Sequence, residues 1–185
     1  NKGEITINGS NSSVGIGANN GIITNASSGK INVNGTKSAG MYGTNDSDLI
    51  NNGEINVAAT SAGNESIGMY IDDQVSTIAN PGKINVGKSS YGIYGKDVNM
   101  TAGEINVADD GVGVYSTGPS VNLSGGKIDV ANNNSVGVYI ADDSKNPQAT
   151  TVTSSVDMKV GDTDSFGYLI TSSKAKTDLT INPTA

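Results

Sequence analysis

The sequence predicts an all-β fold: a right-handed parallel β-helix, or solenoid, of about seven coils with three short strands in each. Two repeated motifs and their spacing carry this expectation. The first is a small strand centred on glycine, seen as Ser13-Val14-Gly15-Ile16, Ser38-Ala39-Gly40-Met41, Ser66-Ile67-Gly68-Met69, Ser90-Tyr91-Gly92-Ile93, Gly111-Val112-Gly113-Val114, Ser135-Val136-Gly137-Val138 and Ser165-Phe166-Gly167-Tyr168. Its glycines recur every 21 to 30 residues, a period that marks a repeat too small to bury its own apolar face. The second motif follows in step: Gly3-Glu4-Ile5-Thr6-Ile7, then Gly-(Lys/Glu)-Ile-Asn-Val at 29–33, 53–57, 82–86 and 103–107, Gly126-Lys127-Ile128-Asp129-Val130, and a degenerate Val156-Asp157-Met158-Lys159-Val160.

A third, looser apolar patch completes each period: Ile22-Ile23, Leu49-Ile50, Val75 with Ile78, Val98 with Met100, Val121 with Leu123, Val152, and Leu179 with Ile181. Alternation over four or five residues reads as half-buried strand, and no period leaves room for a ten-residue helix. With 35% apolar and 4% aromatic residues, the chain suits a coil one strand-layer deep rather than a thick globular core. A coil that buries a handful of side chains at ~1.5–3 kcal/mol each does not offset the ~1–2 kcal/mol per residue of ordering its backbone. Stacking on neighbouring coils must supply the difference.

Residues 1–185 read as one β-helix segment. The chain begins and ends within a repeat, which is expected of a fragment of a longer solenoid flanked by further coils. Cysteine, histidine and tryptophan are absent, and the net charge is −7. Cysteine and histidine nucleophile sets are therefore excluded, and no basic cluster answers the phosphates of nucleic acid or an anionic membrane surface.

The second motif offers a test of stacking. Its Ile and Val point inward, so the residue before the Ile points outward: Glu4, Lys30, Glu54, Lys83, Glu104, Lys127 and Asp157. The sign alternates at every step. Opposite charges in register on adjacent strands stabilise by ~0.2–1 kcal/mol and like charges repel, so this column is expected to be a structural charge ladder.

In the glycine strand, alternation places Val14, Ala39, Ile67, Tyr91, Val112, Val136 and Phe166 inward, followed by Ile16, Met41, Met69, Ile93, Val114, Val138 and Tyr168. The glycines then face outward, beside an outward row of Tyr42, Tyr70, Tyr94, Tyr115 and Tyr139. Either the rings cover bare glycine backbone, or they form an aromatic shelf for a sugar ring or a partner's apolar patch.

The catalytic alternative on this fold is a polysaccharide lyase or hydrolase, which gathers carboxylates on one face. Here the acidic pairs Asp72-Asp73, Asp109-Asp110 and Asp142-Asp143 fall in loops at different offsets from coil to coil, as solvated loop charges do. No catalytic residue, metal site or cofactor is expected. The longest excursion, 141–151, carries Asp142, Asp143 and Lys145 and is a second place for ligand contact.

The combination of Gly-(Lys/Glu)-Ile-Asn-Val, Ser-x-Gly-(Ile/Val/Met)-Tyr and turns such as Ile50-Asn51-Asn52-Gly53 resembles the passenger repeats of Gram-negative type V autotransporters. It is most similar to those of the large fusobacterial outer-membrane autotransporter adhesins. The resemblance implies a C-terminal membrane barrel elsewhere and display of this segment at the cell surface. It also implies a non-enzymatic role in cell adhesion, coaggregation and virulence. The implied partner is a host-cell receptor or glycan, or a partner bacterial surface, with no membrane insertion by this segment itself. No ligand residue carries over, because the matching positions are those that form the repeat. The seventh coil departs from the pattern, with Val156 for Gly, Lys159 for Asn and Leu169 for Tyr.

Overall fold

A computed structural model describes residues 1–73, 77–141, 150–171 and 178–181. The second motif forms a seven-stranded parallel sheet in strict chain order, from Glu4–Ile7 to Asp157–Val160. The glycine strands and the third patches form the other faces of a parallel β-helix, joined into one twelve-stranded sheet. Each strand pairs with the same motif one coil away: Ile31 opposes Ile55, Asn56 opposes Asn85, and Val107 opposes Val130.

In the fourth and fifth coils the second and third strands are not separate. Tyr91–Met100 and Val112–Leu123 run as single strands of 10 and 12 residues. The connection is too short for a turn there, and the corner is taken by a shift in register between Gly95 and Asp97.

The core is a column one side chain thick per wall. Ile31, Ile55, Ile84, Ile105 and Ile128 of the first sheet are fully buried against Met41, Met69, Ile93, Val114 and Val138 of the glycine strands. Leu49, Ile78, Val98, Val121 and Val152 close the third wall. Strands covered on both flanks by their own copies bury the whole column, as parallel sheets require.

The structure corrects the expected facing of the glycine strand. The glycines point into the core, not out. A Cβ on Gly40 would lie 3.2 Å from Val33 Cγ2 and 3.3 Å from Ile31 Cγ2, and one on Gly92 would lie 2.9 Å from Val86 Cγ2. Alternation fails because the strand bends at the glycine. Gly68 and Met69 are both buried, as are Gly92 and Ile93. The residue before the glycine therefore joins the outer face: Tyr91, placed inward by alternation, packs its ring against those of Tyr94 and Tyr115. Val14 and Phe166, at the ends of the same row, are 43% and 48% exposed. The tyrosines thus do not cover a bare glycine stripe. Glycine is needed because the neighbouring coil's backbone comes close: the same Cβ positions lie 2.6–2.8 Å from the carbonyl oxygen of the next coil's glycine.

Two asparagine columns brace the coils. Outside the first sheet, Asn56 Nδ2 donates to Asn32 Oδ1 (3.0 Å), Asn85 to Asn56 (2.7 Å) and Asn106 to Asn85 (3.0 Å). A second column lies inside: Asn25, Asn51 and Asn80 are buried, with Asn25 donating to Asn51 (2.8 Å) and Asn51 to Asn80 (2.7 Å). A primary amide carries both donor and acceptor, so a buried column of amides satisfies itself. It ends at Asn80, whose Nδ2 has no partner. One coil on, the wall is apolar at Met100 and Leu123.

Two predictions follow from the inside of the coil. Gly92→Ala should lower stability by ~1–3 kcal/mol through overpacking, whereas Gly3→Ala, whose Cβ would meet nothing within 4 Å, should stay within about 0.5 kcal/mol. Urea midpoints of the two variants check the inward assignment. Asn51→Leu strips a partner from both Asn25 and Asn80 and should cost ~1–3 kcal/mol. Asn80→Leu, at the end of the column, should cost less in the same measurement.

Candidate functional site

The outer face of the glycine strands is the most distinctive surface of the molecule. Parallel register sets Tyr42 opposite Tyr70, Tyr70 opposite Tyr94, Tyr94 opposite Tyr115 and Tyr115 opposite Tyr139. Ring centroids lie 5.4, 5.2, 4.8 and 5.0 Å apart along this row, at interplanar angles of 50°, 89°, 12° and 85°. The row is therefore not a flat shelf. Only Tyr94 and Tyr115 stack, and their neighbours turn edge-on, the arrangement that ring quadrupoles favour. Tyr91 adds a sixth ring, 5.6 Å from Tyr115 and 6.2 Å from Tyr94.

Beside the tyrosines runs the second outward row, which the sequence reading had placed in the core. At the N-terminal end the two rows enclose a groove of about 450 Å3. Val14, Ala39 and Ile67 make its floor, Tyr42 and Tyr70 one wall, and Lys37 and Glu65 its charged rim. Glu65 belongs to the connection 58–66, longer than its counterparts 34–38, 87–90 and 108–111. It also borders a second depression with Tyr91, Asp110 and Val112. Lys37 is held at φ 51°, in the left-handed region, where a non-glycine residue is uncommon.

Hydrogen bonds tie the hydroxyls at both ends of the row. The Tyr42 hydroxyl donates to Asp72 Oδ2 at 2.9 Å, and Thr171 Oγ1 donates to the Tyr139 hydroxyl at 3.0 Å. Desolvation is the first cause that raises the phenol pKa of Tyr42, Tyr70, Tyr91 and Tyr115, with nearby carboxylates and rings adding to it. The seventh tyrosine, Tyr168, turns inward and donates to Ser154 Oγ at 2.5 Å.

The other candidate residues fall as follows. Asp142, Asp143 and Lys145 lie outside the described residues. Glu4, Lys30, Glu54, Lys83, Glu104, Lys127 and Asp157 stand opposite one another in that order. Lys83 Nζ lies 3.5 Å from Glu104 Oε1, both well exposed, so this pair adds little. Amides matter more: the Asn106 amide is the first cause that lowers the Glu104 pKa, ahead of Lys83. Lys127 turns to Asp129 in its own strand. Among the acidic pairs, Asp110 takes Lys88 at 3.2 Å, Asp109 takes Asn133, and Asp72 takes Tyr42. Among the described residues no cluster of three or more His, Cys, Asp or Glu is placed to hold a metal.

Sequence reasoning missed Tyr91, Lys37 and Glu65 as members of this face. The available signal was an apolar residue three positions before each tyrosine, a spacing that strict alternation does not allow on one side. It also missed a groove of about 540 Å3 along the first sheet, lined by Asn56, Asn85, Asn106 and Asp129 and by the chain at Ala58, Gly87 and Ala108.

The raised phenol values set the alkaline behaviour. Below an ordinary tyrosine pKa of about 10 the phenols are neutral in both folded and unfolded chains, and the packing contribution is intact. Above it the unfolded chain ionises first, so stability should fall as pH rises toward the folded values. Phenolate absorbance should appear at higher pH in the folded protein than in urea, and Tyr70→Phe with Tyr115→Phe should flatten the alkaline loss of stability.

Residues 1–102 match the family model described as the BigA third pectate lyase-like domain. No curated protein and no solved structure matches the chain at a comparable standard. The matched residues include the first four strands of the seven-stranded sheet and the Asn25–Asn51–Asn80 column. They exceed half of the 185-residue chain, and the chain belongs to the family of the BigA third pectate lyase-like domain.

Proposed function

We propose that this chain is a non-enzymatic passenger or stalk segment of a bacterial autotransporter, exposed at the cell surface and supporting cell adhesion or coaggregation. The in-register solenoid carries this reading. Seven strands of one repeated motif, the last degenerate, stacked in chain order make a rod whose length grows by ~4.8 Å per coil. Each coil needs its neighbour, a design that extends indefinitely without a new core. The family match supports a passenger-type domain, and its lyase-like name describes a fold that serves many purposes. Asp109, Asp110 and Asp72 are engaged by an asparagine amide, a lysine and a tyrosine rather than by one another.

A second reading has its own support. The two outward apolar rows and the 450 Å3 groove at Tyr42 and Tyr70 are suited to direct contact with a glycan or a receptor, because concave apolar surface with a few polar groups is where ligands settle. Residues 142, 143 and 145 remain a further proposed contact on the same passenger.

Beads coated with the protein should adhere to host or bacterial cells if the segment itself makes contact. The triple variant Tyr70→Ser, Tyr94→Ser, Tyr115→Ser should then lose adhesion while staying folded. If the segment only spaces an adhesive surface located elsewhere, the full surface protein carrying the same three changes should adhere as before. Release of unsaturated oligomers from polyuronate by the purified chain would overturn both readings in favour of a lyase.

A further inference from the structure

The chain contains no cysteine, tryptophan or histidine. Its side chains open to oxidation are four methionines and seven tyrosines. Met41, Met69 and Met100 are fully buried, so three of the four thioethers are withdrawn from solvent and Met158 alone is partly exposed. The tyrosines are arranged oppositely. Six of the seven form one continuous chain of ring contacts on the outer face, each partly exposed to solvent. Oxidants that reach the outer face of the glycine strands therefore meet six tyrosines there and none of the methionines that are fully buried.

Geometry singles out one pair. A bond between two phenoxyl radicals forms from the π face of each ring, at the ring carbon next to the one that bears the oxygen. Tyr94 and Tyr115 lie 4.8 Å apart at 12° and present those faces to each other. The neighbouring pairs in the row, Tyr42–Tyr70, Tyr70–Tyr94 and Tyr115–Tyr139, are tilted at 50°, 89° and 85° and offer an edge to at least one face. Register fixes the stacked pair: Tyr94 and Tyr115 are direct partners in adjacent parallel strands.

We propose that the tyrosine face is an oxidative modification site, at which a one-electron oxidant such as a haem peroxidase with hydrogen peroxide joins Tyr94 to Tyr115 as an intrachain dityrosine. Each phenol gives up one electron to the oxidant and its hydroxyl proton to water. The two radicals couple through one carbon–carbon bond between ring positions ortho to the oxygens. The two displaced ring hydrogens return to the oxygens as the rings regain aromaticity. In total, two hydrogens leave the protein, and one hydrogen peroxide is reduced to two waters. The product is a covalent staple across the fourth and fifth coils of a chain that has no disulfide to serve there.

The test uses the whole chain with a haem peroxidase and hydrogen peroxide, followed by isolation of the monomer and trypsin digestion. Cleavage at Lys88, Lys96 and Lys127 places Tyr94 in peptide 89–96 and Tyr115 in 97–127, with Tyr139 in 128–145 and both Tyr42 and Tyr70 in 38–83. The expected result is blue dityrosine fluorescence in the monomer and a joined 89–96/97–127 peptide lighter by two hydrogens. Its rate per molecule should not change with protein concentration. Tyr94→Phe and Tyr115→Phe keep the ring but cannot form the radical, and each should abolish that product, whereas Tyr91→Phe, in the same peptide as Tyr94, should retain it. Cross-links found only between chains, equal yields across all neighbouring tyrosine pairs, or methionine sulfoxide forming ahead of any tyrosine product would each overturn the proposal.

Discussion

Every coil of this molecule is held by parallel backbone hydrogen bonds to the same motif one coil away, and that register decides which side chains can occur. Lys30 N donates to Gly3 O, Glu54 N to Gly29 O, Lys83 N to Gly53 O and Glu104 N to Gly82 O. A residue in such a stack touches its own counterpart above and below, ~4.8 Å away. Aliphatic side chains tolerate their own kind. Primary amides do better, since each donates to one neighbour and accepts from the other. Aromatic rings also pair with themselves by alternating face and edge. Charge alone is not self-complementary, and the charged column of the first sheet alternates in sign from Glu4 to Asp157 instead of repeating. Columns of like residues and one column of alternating sign are two outcomes of the same constraint.

The glycine column shows the constraint acting on shape. A coil of 21 to 30 residues must close on itself, and its core is the thickness of two facing side chains. Where Ile and Val of the first sheet approach the glycine strand, nothing larger than hydrogen fits, and the next coil's carbonyl oxygen occupies the remaining space. The bend at that glycine sends two successive residues inward. It therefore releases the residue before it to the outer face, where it lies alongside the tyrosines. A packing requirement inside the coil thus produces the apolar double row outside it, and the groove at Tyr42 and Tyr70 is a consequence of core geometry.

Strand positions and register were legible in the sequence because the Gly-(Lys/Glu)-Ile-Asn-Val motif repeats with few changes, so each copy identifies its own neighbour. The facing of Val14, Ile67 and Tyr91 was not legible. Alternation assumes an unbent strand, and three consecutive small or apolar residues fit either parity. Tyr91 held the clue: a phenol hydroxyl inside an apolar wall would need a partner, while outside it needs none. The inner amide column was hidden for another reason. Asn25, Asn51 and Asn80 sit two or four residues before a glycine, and Asn near Gly ordinarily marks a turn. Met100 and Leu123 then end the series, so no seven-fold repeat called attention to it.

Columns that stack well are committed to holding coils together, which leaves the breaks in the columns as the positions with chemical freedom. Asp129 stands where the outer column has Asn, and it takes Lys127 rather than continuing the amide chain. Tyr91 stands among aliphatic residues and ties the two outer rows together. The connection 58–66 is lengthened and brings Glu65 to the rim of two depressions. Asn80 meets Met100 at a seam where a polar column gives way to an apolar one. Two of these breaks, Tyr91 and the 58–66 connection, converge on the tyrosine face in the third and fourth coils. The first sheet, by contrast, stays close to pure repeat from Lys30 to Glu104. The two breaks beside the stacked rings set this face apart from the plainer repeat of the first sheet.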